Sequence, residues 1–368
     1  MPKPLVAISE KQLPQFRGRL LAWFRREKRD LEWRRTRDPY RIWISEIMLQ
    51  QTRVAAVTPY YLRFLDRFPT VSDLARARED AVLHAWAGLG YYSRARNLRR
   101  AAQEIVARHA GQFPDEMEAA LALPGIGHYT ASAVLSIAYG KPYAVLDGNV
   151  ARVLARLGAI RGDLRRPQIW RRLQETAGNL LACKEAGDWN QAMMELGATV
   201  CLPRAPLCPK CPVRTLCRTR GEHSTPKRAP QRSLPIAFLL DLRKRGTVTE
   251  VLLELRATDA SLMPAMYELP PLPPEAVADR EPVLRVRHSI TNTNYYVQVF
   301  APGRLESNGA ATRSRPESQV LRRAIPKGSG SLHWTKVSRL AGLPLTGLTR
   351  KILQRLHVME NPHLSVLE

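Results

Sequence analysis

A chain of 368 residues, 45% of them hydrophobic, is long enough for two domains. Its 57 Lys and Arg outweigh 33 Asp and Glu, giving a formal net charge of +24 that selects a polyanionic partner, most often nucleic acid. No apolar run reaches membrane-spanning length and Met1–Lys11 lacks the apolar core of a secretory signal, so membrane and secreted classes are set aside and a reducing, cytoplasmic setting is expected.

From about Pro14 to Leu202 the chain reads as mostly helical. Ala81–Trp86, Ala95–Ala110 and Ala131–Tyr139 are rich in Ala, Leu and Arg, with short Gly or Pro breaks between them. The string Trp43-Ile-Ser-Glu-Ile-Met-Leu-Gln-Gln-Thr52 holds one acid in an apolar helix. Trp43, Ile44, Ile47, Met48 and Leu49 cover most of the helix circumference and leave Glu46 little polar face. A carboxylate buried there is costly to ionise and keeps a proton near neutral pH, as a general acid must. Farther on, Leu123-Pro-Gly-Ile-Gly127 places Gly125 and Gly127 one residue apart, just before a helix that starts at His128-Tyr-Thr-Ala131. Such a turn brings backbone N–H groups close to an anion and resembles the helix-hairpin-helix, which grips a DNA phosphate without reading sequence. In Val145-Leu-Asp-Gly-Asn-Val150, Asp147 follows an apolar run and precedes a helix, where a carboxylate caps free N–H groups. Cys183 lies in an Ala-rich stretch and reads as a buried structural thiol.

The helical region ends in Cys201, Cys208, Cys211 and Cys217, spaced C-x6-C-x2-C-x5-C. Four thiolates in so short a segment can close around one metal centre. Zinc sites usually carry two C-x2-C pairs and this segment has one, whereas a [4Fe-4S] cluster accepts varied spacings; both remain open on spacing. Pro203, Pro206, Pro209 and Pro212 interleave the ligands and hold the backbone in turns. Arg218–Arg232, basic and rich in Gly, Ser and Pro, reads as a linker. Beyond it the pattern changes to strand: Leu234–Leu242 and Thr247–Arg256 flank Arg243-Lys-Arg-Gly246 as a hairpin, with further strands at Val283–Val286 and Asn294–Phe300. Arg304–Ser331 reads as a long loop and Leu343–Leu356 as a closing amphipathic helix.

Taken in order, Trp43–Thr52, Gly88-Leu-Gly-Tyr-Tyr-Ser-Arg94, the Leu123–Gly127 turn, Val145–Val150 and the four-cysteine loop resemble the MutY family of adenine DNA glycosylases, an iron–sulfur branch of the helix-hairpin-helix glycosylase superfamily. The resemblance is dense from about Leu31 to Cys217. It implies a mostly helical glycosylase domain over residues 1–217, a linker at 218–232 and a Nudix (MutT)-like α/β domain over 233–368. It also implies one [4Fe-4S] cluster on the four cysteines, with zinc as the alternative, and a monomer acting on double-stranded DNA that carries adenine opposite 8-oxoguanine or guanine. By the same resemblance Glu46 protonates the flipped adenine at N7 and Asp147 stabilises the oxocarbenium-like sugar, with Tyr129 and Asn149 lining this centre. In the endonuclease III branch a lysine after the hairpin attacks the sugar; Tyr129 stands here, and a phenol forms no imine. Base removal without an efficient lyase step is therefore expected.

Arg34 and Gln191 match positions at the adenine pocket, and Leu49, Gln51 and Tyr91 join the glycines as DNA contacts, Gln51 and Tyr91 wedging into the duplex. Simple aromatic core is the other reading of Tyr91 and Tyr92. In the C-terminal part, Ala265–Pro270 and Leu343–Leu353 resemble MutT-like elements, while the acidic box of active Nudix hydrolases is absent. Arg287-His-Ser-Ile-Thr-Asn292 stands at the family's 8-oxoguanine-sensing hairpin, assigning His288, Ser289, Thr291 and Asn292 to that role. Two competing readings are an endonuclease III-like glycosylase/lyase and a non-catalytic iron–sulfur DNA-binding protein; Tyr129 opposes the first, and the contexts of Glu46 and Asp147 oppose the second.

Overall fold

The computed structural model describes residues 6, 8–223, 232–260, 263–290, 293–302, 315–326 and 330–359. Two units emerge: Met1–Ala77 with Asn97–Arg228, and Arg78–Arg96 with Ala229–Glu368. The sequence reading gives Arg78–Arg96 to the helical domain; by its contacts this segment groups with the C-terminal residues instead.

The first unit is helical: α1 (Leu13–Glu27), α2 (Pro39–Leu49), α3 (Val54–Arg67) and α4 (Val71–Arg76) come before the excursion, which contains α5 (Glu79–Trp86) and ends inside α6 (Ser93–Arg108). Then follow α7 (Met117–Ala122), α8 (His128–Tyr139), α9 (Gly148–Gly158), α10 (Pro167–Leu180) and α11 (Ala186–Thr199). The helix starts are written locally. The Asp38 side chain accepts from the Tyr40 amide with Pro39 as the first helical residue of α2, and Thr70 and Asp73 form a reciprocal capping box on α4. Gly140 closes α8 in the left-handed conformation.

Helix α2 is buried at Tyr40 and from Ile42 through Met48, over almost its whole circumference, and packs on α8, whose Thr130–Ser136 stretch is also buried. A helix apolar on all sides belongs at the centre of a unit, which is what takes Glu46 inside. A second core joins Phe16, Leu20 and Phe24 of α1 to Leu154 and Leu157 of α9 and Trp189 and Leu196 of α11. Phe16 meets Trp189 edge-on, with ring centroids 5.4 Å apart. Each such side chain contributes about 1.5–3 kcal/mol on burial, so this core fixes α9 and α11 side by side.

The second unit is mixed α/β. Its strands are β1 (Arg232–Leu239), β2 (Leu242–Arg245), β3 (Val248–Arg256), β4 (Tyr267–Glu268), β5 (Pro271–Leu272), β6 (Leu284–Ile290), β7 (Thr293–Phe300) and β8 (Gly330–Lys336), with helices α12 (Arg315–Arg323) and α13 (Gly347–Arg355). One sheet runs β5-β1-β7-β6, and the other joins β2, β3 and β4 with β8 on β3. The expected hairpin is shifted. Arg243–Arg245 belong to β2 and pair with Val248–Glu250 around Gly246, which has φ +61°, while β1 runs parallel to β7 in the other sheet. Charged side chains at a sheet edge are compatible with strand, and the left-handed glycine marks the true turn. The long loop expected over 304–331 also needs correction, since it contains α12 and the start of β8; Leu321, buried against Leu239 and Phe300, holds that helix. The expected strand at 283–286 runs on to Ile290 and pairs antiparallel with β7, Ile290 opposite Thr293.

Candidate active site

In the helical unit the turn before α2, α2 itself, α8, the start of α9 and α11 build much of one cavity of about 180 Å³. Glu46, Tyr129, Asp147, Asn149, Arg34 and Gln191 all line it, as does Leu49. Arg34, Ile137 and Gln191 also border a neighbouring cavity of about 340 Å³.

Glu46 is 5% exposed. Burial pushes its carboxyl up to about 7, with the Asp147 charge adding to the rise and the Tyr129 hydrogen bond and Arg34 opposing it. The Tyr129 hydroxyl donates to Glu46 Oε2 at 2.6 Å and lies 3.5 Å from Met194 Sδ. Burial, with both carboxylates nearby, raises the phenol well above its ordinary range, so it remains a donor. Asp147 is the N-cap of α9. Its Oδ1 accepts from the Val150 amide at 2.7 Å and its Oδ2 from Asn149 Nδ2 at 2.9 Å. Burial raises Asp147 too, while these hydrogen bonds pull it down. The capping role and the site role are thus one geometry: the helix start that needs an acceptor also aims a carboxylate into the cavity.

Behind Asp147 the contacts continue. Arg152 donates to Asn149 Oδ1 at 2.9 Å, to the Gly197 carbonyl at 2.6 Å and to the Cys201 carbonyl at 2.8 Å. Gly197 is required there, because a Cβ would sit 2.6 Å from the Asn149 Cβ. Arg156, almost fully buried, places Nη1 3.3 Å from Cys201 Sγ and binds the Leu202 and Pro203 carbonyls.

Cys201, Cys208, Cys211 and Cys217 are half-buried and line a single small cavity with Arg156, Arg214 and Arg220. Among the described residues no group of three or more His, Cys, Asp or Glu is set to hold one metal ion. Burial raises Cys211 to about 11, so its thiolate needs a cation beside it. Arg204, Lys210, Arg214 and Arg218 are exposed around this loop. Cys183 corrects an expectation: it is exposed, on a short 3-10 turn between α10 and α11 rather than within a packed helix.

The hairpin turn is as expected in outline, with Gly125 at φ +76° and Gly127 capping α8, both exposed. A Cβ on Gly125 would meet the Asn97 side chain at 2.7 Å. Gln51, just past α2, is exposed with φ +58°. In the second unit Tyr91 is 40% exposed with φ +49°, whereas its neighbour Tyr92 is buried, so the core reading holds for Tyr92 alone. His288 is half-buried on β6, its imidazole lowered by burial and then by Lys351, and Ser289 Oγ donates to Asn294 Oδ1 at 2.6 Å. Thr291 and Asn292 lie outside the described residues.

The sequence reading missed Glu195. Its side chain is 0% exposed, and it accepts from the Arg29 amide at 3.1 Å, from Arg29 Nε at 2.8 Å and Nη2 at 2.7 Å, and from Arg34 Nη2 at 2.8 Å. Burial pushes this carboxyl up, but the two guanidiniums outweigh it and bring it to about 2. The signal was available, since Glu195 is an acid flanked by apolar residues on its helix, as Glu46 is.

Residues 44–178 match the HhH-GPD superfamily of base excision DNA repair proteins. The chain is 48% identical over 218 residues to the adenine DNA glycosylase of Homo sapiens, an alignment covering 57% of this chain and 40% of the relative. It is 40% identical over 199 residues to that of Buchnera aphidicola, covering 54% and 57% respectively. The chain thus spans about half the length of the curated relatives it matches. Among solved structures, a thermostable thymine-DNA glycosylase aligns with TM-score 0.52 and 31% identity, covering 57% of this chain and 97% of the other. A trapped endonuclease III–DNA covalent intermediate aligns with TM-score 0.50 at 24% identity, covering 58% and 97%, a likeness of fold.

Proposed function

Because the chain belongs to the MutY family within the helix-hairpin-helix superfamily of base excision repair proteins, we propose that it removes adenine opposite 8-oxoguanine or guanine in duplex DNA, without cutting the strand. One observation carries this reading. A carboxyl held near neutrality, Glu46, and a capped, hydrogen-bonded carboxylate, Asp147, line the same cavity with the Tyr129 hydroxyl on Glu46. Burial raises both carboxyls, but hydrogen bonds from Val150 and Asn149 pull Asp147 back down, a difference that suits one to act as acid and the other to stabilise a cation, as in sugar hydrolysis.

The duplex is gripped through exposed N–H groups at Gly125 and Gly127, and the adenine is flipped into the cavity while Gln51 fills the vacated space. Glu46 delivers its proton to N7, turning the base into a better leaving group. As the glycosidic bond breaks, the sugar gains positive charge, and Asp147 stabilises it from its fixed N-cap position. Water then completes a hydrolysis that needs no imine, in keeping with Tyr129 at the lysine position. Leu49, Arg34 and Gln191 line the cavity that would receive the base.

The four cysteines share one small cavity, and their spacing and the family resemblance support a [4Fe-4S] cluster there, with zinc as the alternative. When bound, a [4Fe-4S] cluster would cross-link the loop that carries Arg204, Lys210, Arg214 and Arg218 to DNA phosphates. The α/β unit, lacking the acidic box of Nudix hydrolases, would serve recognition of the opposite base through the β6–β7 hairpin. A monomer in the cytoplasm, associated with DNA, completes the proposal.

The test is a single-turnover assay on a duplex with one adenine opposite 8-oxoguanine, quenched with and without hot alkali. Strand breaks that appear only after alkali are expected. Breaks without alkali would indicate a lyase, and no breaks with DNA still bound would favour a binding protein. For the hairpin, Asn292→His is expected to raise the preference for 8-oxoguanine over guanine; an unchanged preference removes this residue from lesion sensing.

A further inference from the structure

We infer that Glu195 is a positioning residue for excision: its carboxylate clamps Arg34 and Arg29 at the wall of the reaction cavity and so fixes the donors and the charge that the flipped base meets. The inference rests on the excision reading above. Glu195 is placed by the packing of α11 on α1 and α9, which leaves its side chain without solvent. Its partners are all cationic or backbone donors. Arg29 wraps one side with its amide and two guanidinium nitrogens, and Arg34 Nη2 takes Oε2 from the other. Arg34 is further held by its Nη1 on the Arg29 carbonyl at 3.2 Å and by the Phe24 ring at 5.4 Å. All three residues line the cavity that holds Glu46 and Asp147.

Two consequences follow from this arrangement. A guanidinium has donors and no acceptor, so a fixed Arg34 favours a base edge that presents acceptor nitrogens, as a purine does. The clamp also sets the field at Glu46. The charged and titratable groups around that carboxyl are Tyr129 from α8, Asp147 at the start of α9 and Arg34 from the turn before α2. Two guanidiniums with one carboxylate leave a single net positive charge beside the general acid. Removing the carboxylate would leave both cations uncompensated, free the Arg34 side chain and draw the proton off Glu46.

The experiment uses the full chain and the duplex with adenine opposite 8-oxoguanine, following single-turnover excision across the neutral pH range alongside duplex affinity. Glu195→Gln is expected to slow excision roughly 10- to 100-fold, the effect of misplacing a positioning group, with affinity little changed. Its alkaline limb should move to lower pH. Glu195→Asp, which keeps the charge, should return the limb and part of the rate. A folded Glu195→Gln protein with the parent rate and the parent limb overturns the inference. If that variant does not fold, Arg29→Met decides, because Arg29 is 38% exposed and its removal leaves Glu195 paired with Arg34 and the backbone amide at position 29. With Arg29 gone the whole Glu195 charge falls on Arg34, so slower excision with the limb moved to higher pH supports the clamp, and parent kinetics overturns it. A parent protein that excises no adenine overturns the excision reading itself, an outcome visible before any variant is compared.

Discussion

Glu46 on α2 and Glu195 on α11 are the same residue type, each flanked by apolar residues, each buried, and both lining one cavity. Their protons behave in opposite ways. Glu46 faces a phenol and another carboxylate, and burial carries it up to about 7. Glu195 feels burial as well, but two guanidiniums hydrogen-bond it and bring it to about 2. Burial sets the direction of a carboxyl's shift only where no opposite charge outweighs it. One helix string therefore yields an acid that can give a proton at neutral pH, and the other yields a fixed anion.

The largest expected effect comes from removing the proposed proton donor. Glu46→Gln should lower excision by about 10²-fold or more while duplex binding persists. It should also reverse the usual stability penalty. The folded carboxyl sits above its unfolded value of 4.5, so its contribution is full below that value and is lost as pH rises through about 7. A neutral Gln escapes that loss, so the variant should melt higher than the parent at about pH 8 and alike at about pH 4. Equal melting at both would refute the raised carboxyl.

Asp147→Asn comes next. Losing the charge beside the developing cation should cost about 10²-fold in rate. Asn caps a helix as well as Asp does, so melting should barely change. A large drop in stability would mean that the carboxylate serves α9 more than the chemistry.

Glu195 tests the other side of the comparison by thermal melts. Its folded carboxyl lies below 4.5, so its contribution is full above that value and fades as pH falls toward about 2. Glu195→Gln should therefore be destabilised near neutrality, with the gap to the parent closing in acid. A gap that widens in acid would contradict the ion-paired description. The smallest effect belongs to Tyr129→Phe. The lost hydrogen bond favours ionised Glu46, so the alkaline limb should move up while the rate falls about tenfold or less. A limb moving down would show that the hydroxyl serves the protonated form instead.

Much of the site was legible because its pieces are short local strings. Glu46 was readable from the apolar residues around it, Asp147 from its position before a helix, and the four cysteines from spacing with interleaved prolines. Arg29, Arg152 and Arg156 were not, in a chain so rich in arginine. Only tertiary contacts, from Arg29 to Glu195, Arg152 to Gly197 and Arg156 to Cys201 Sγ, separate them from surface charges. Likewise Cys183 and the Arg243–Arg245 strand defeated composition, since a thiol in a turn and charges on a strand edge look alike in sequence to a helix and a loop.

By itself the sequence determined the helical first half, the strand-rich second half, the apolar setting of Glu46 and the close spacing of four cysteines, because each depends on residues within a few positions of one another. The tertiary structure decided which acids share a cavity, which of them meets arginine and which meets a phenol, and hence the direction in which each carboxyl shifts. Electrostatic free energy depends on distances between charges in a low-dielectric interior, and residues as far apart in the chain as Arg34 and Glu195 acquire such a distance only on folding.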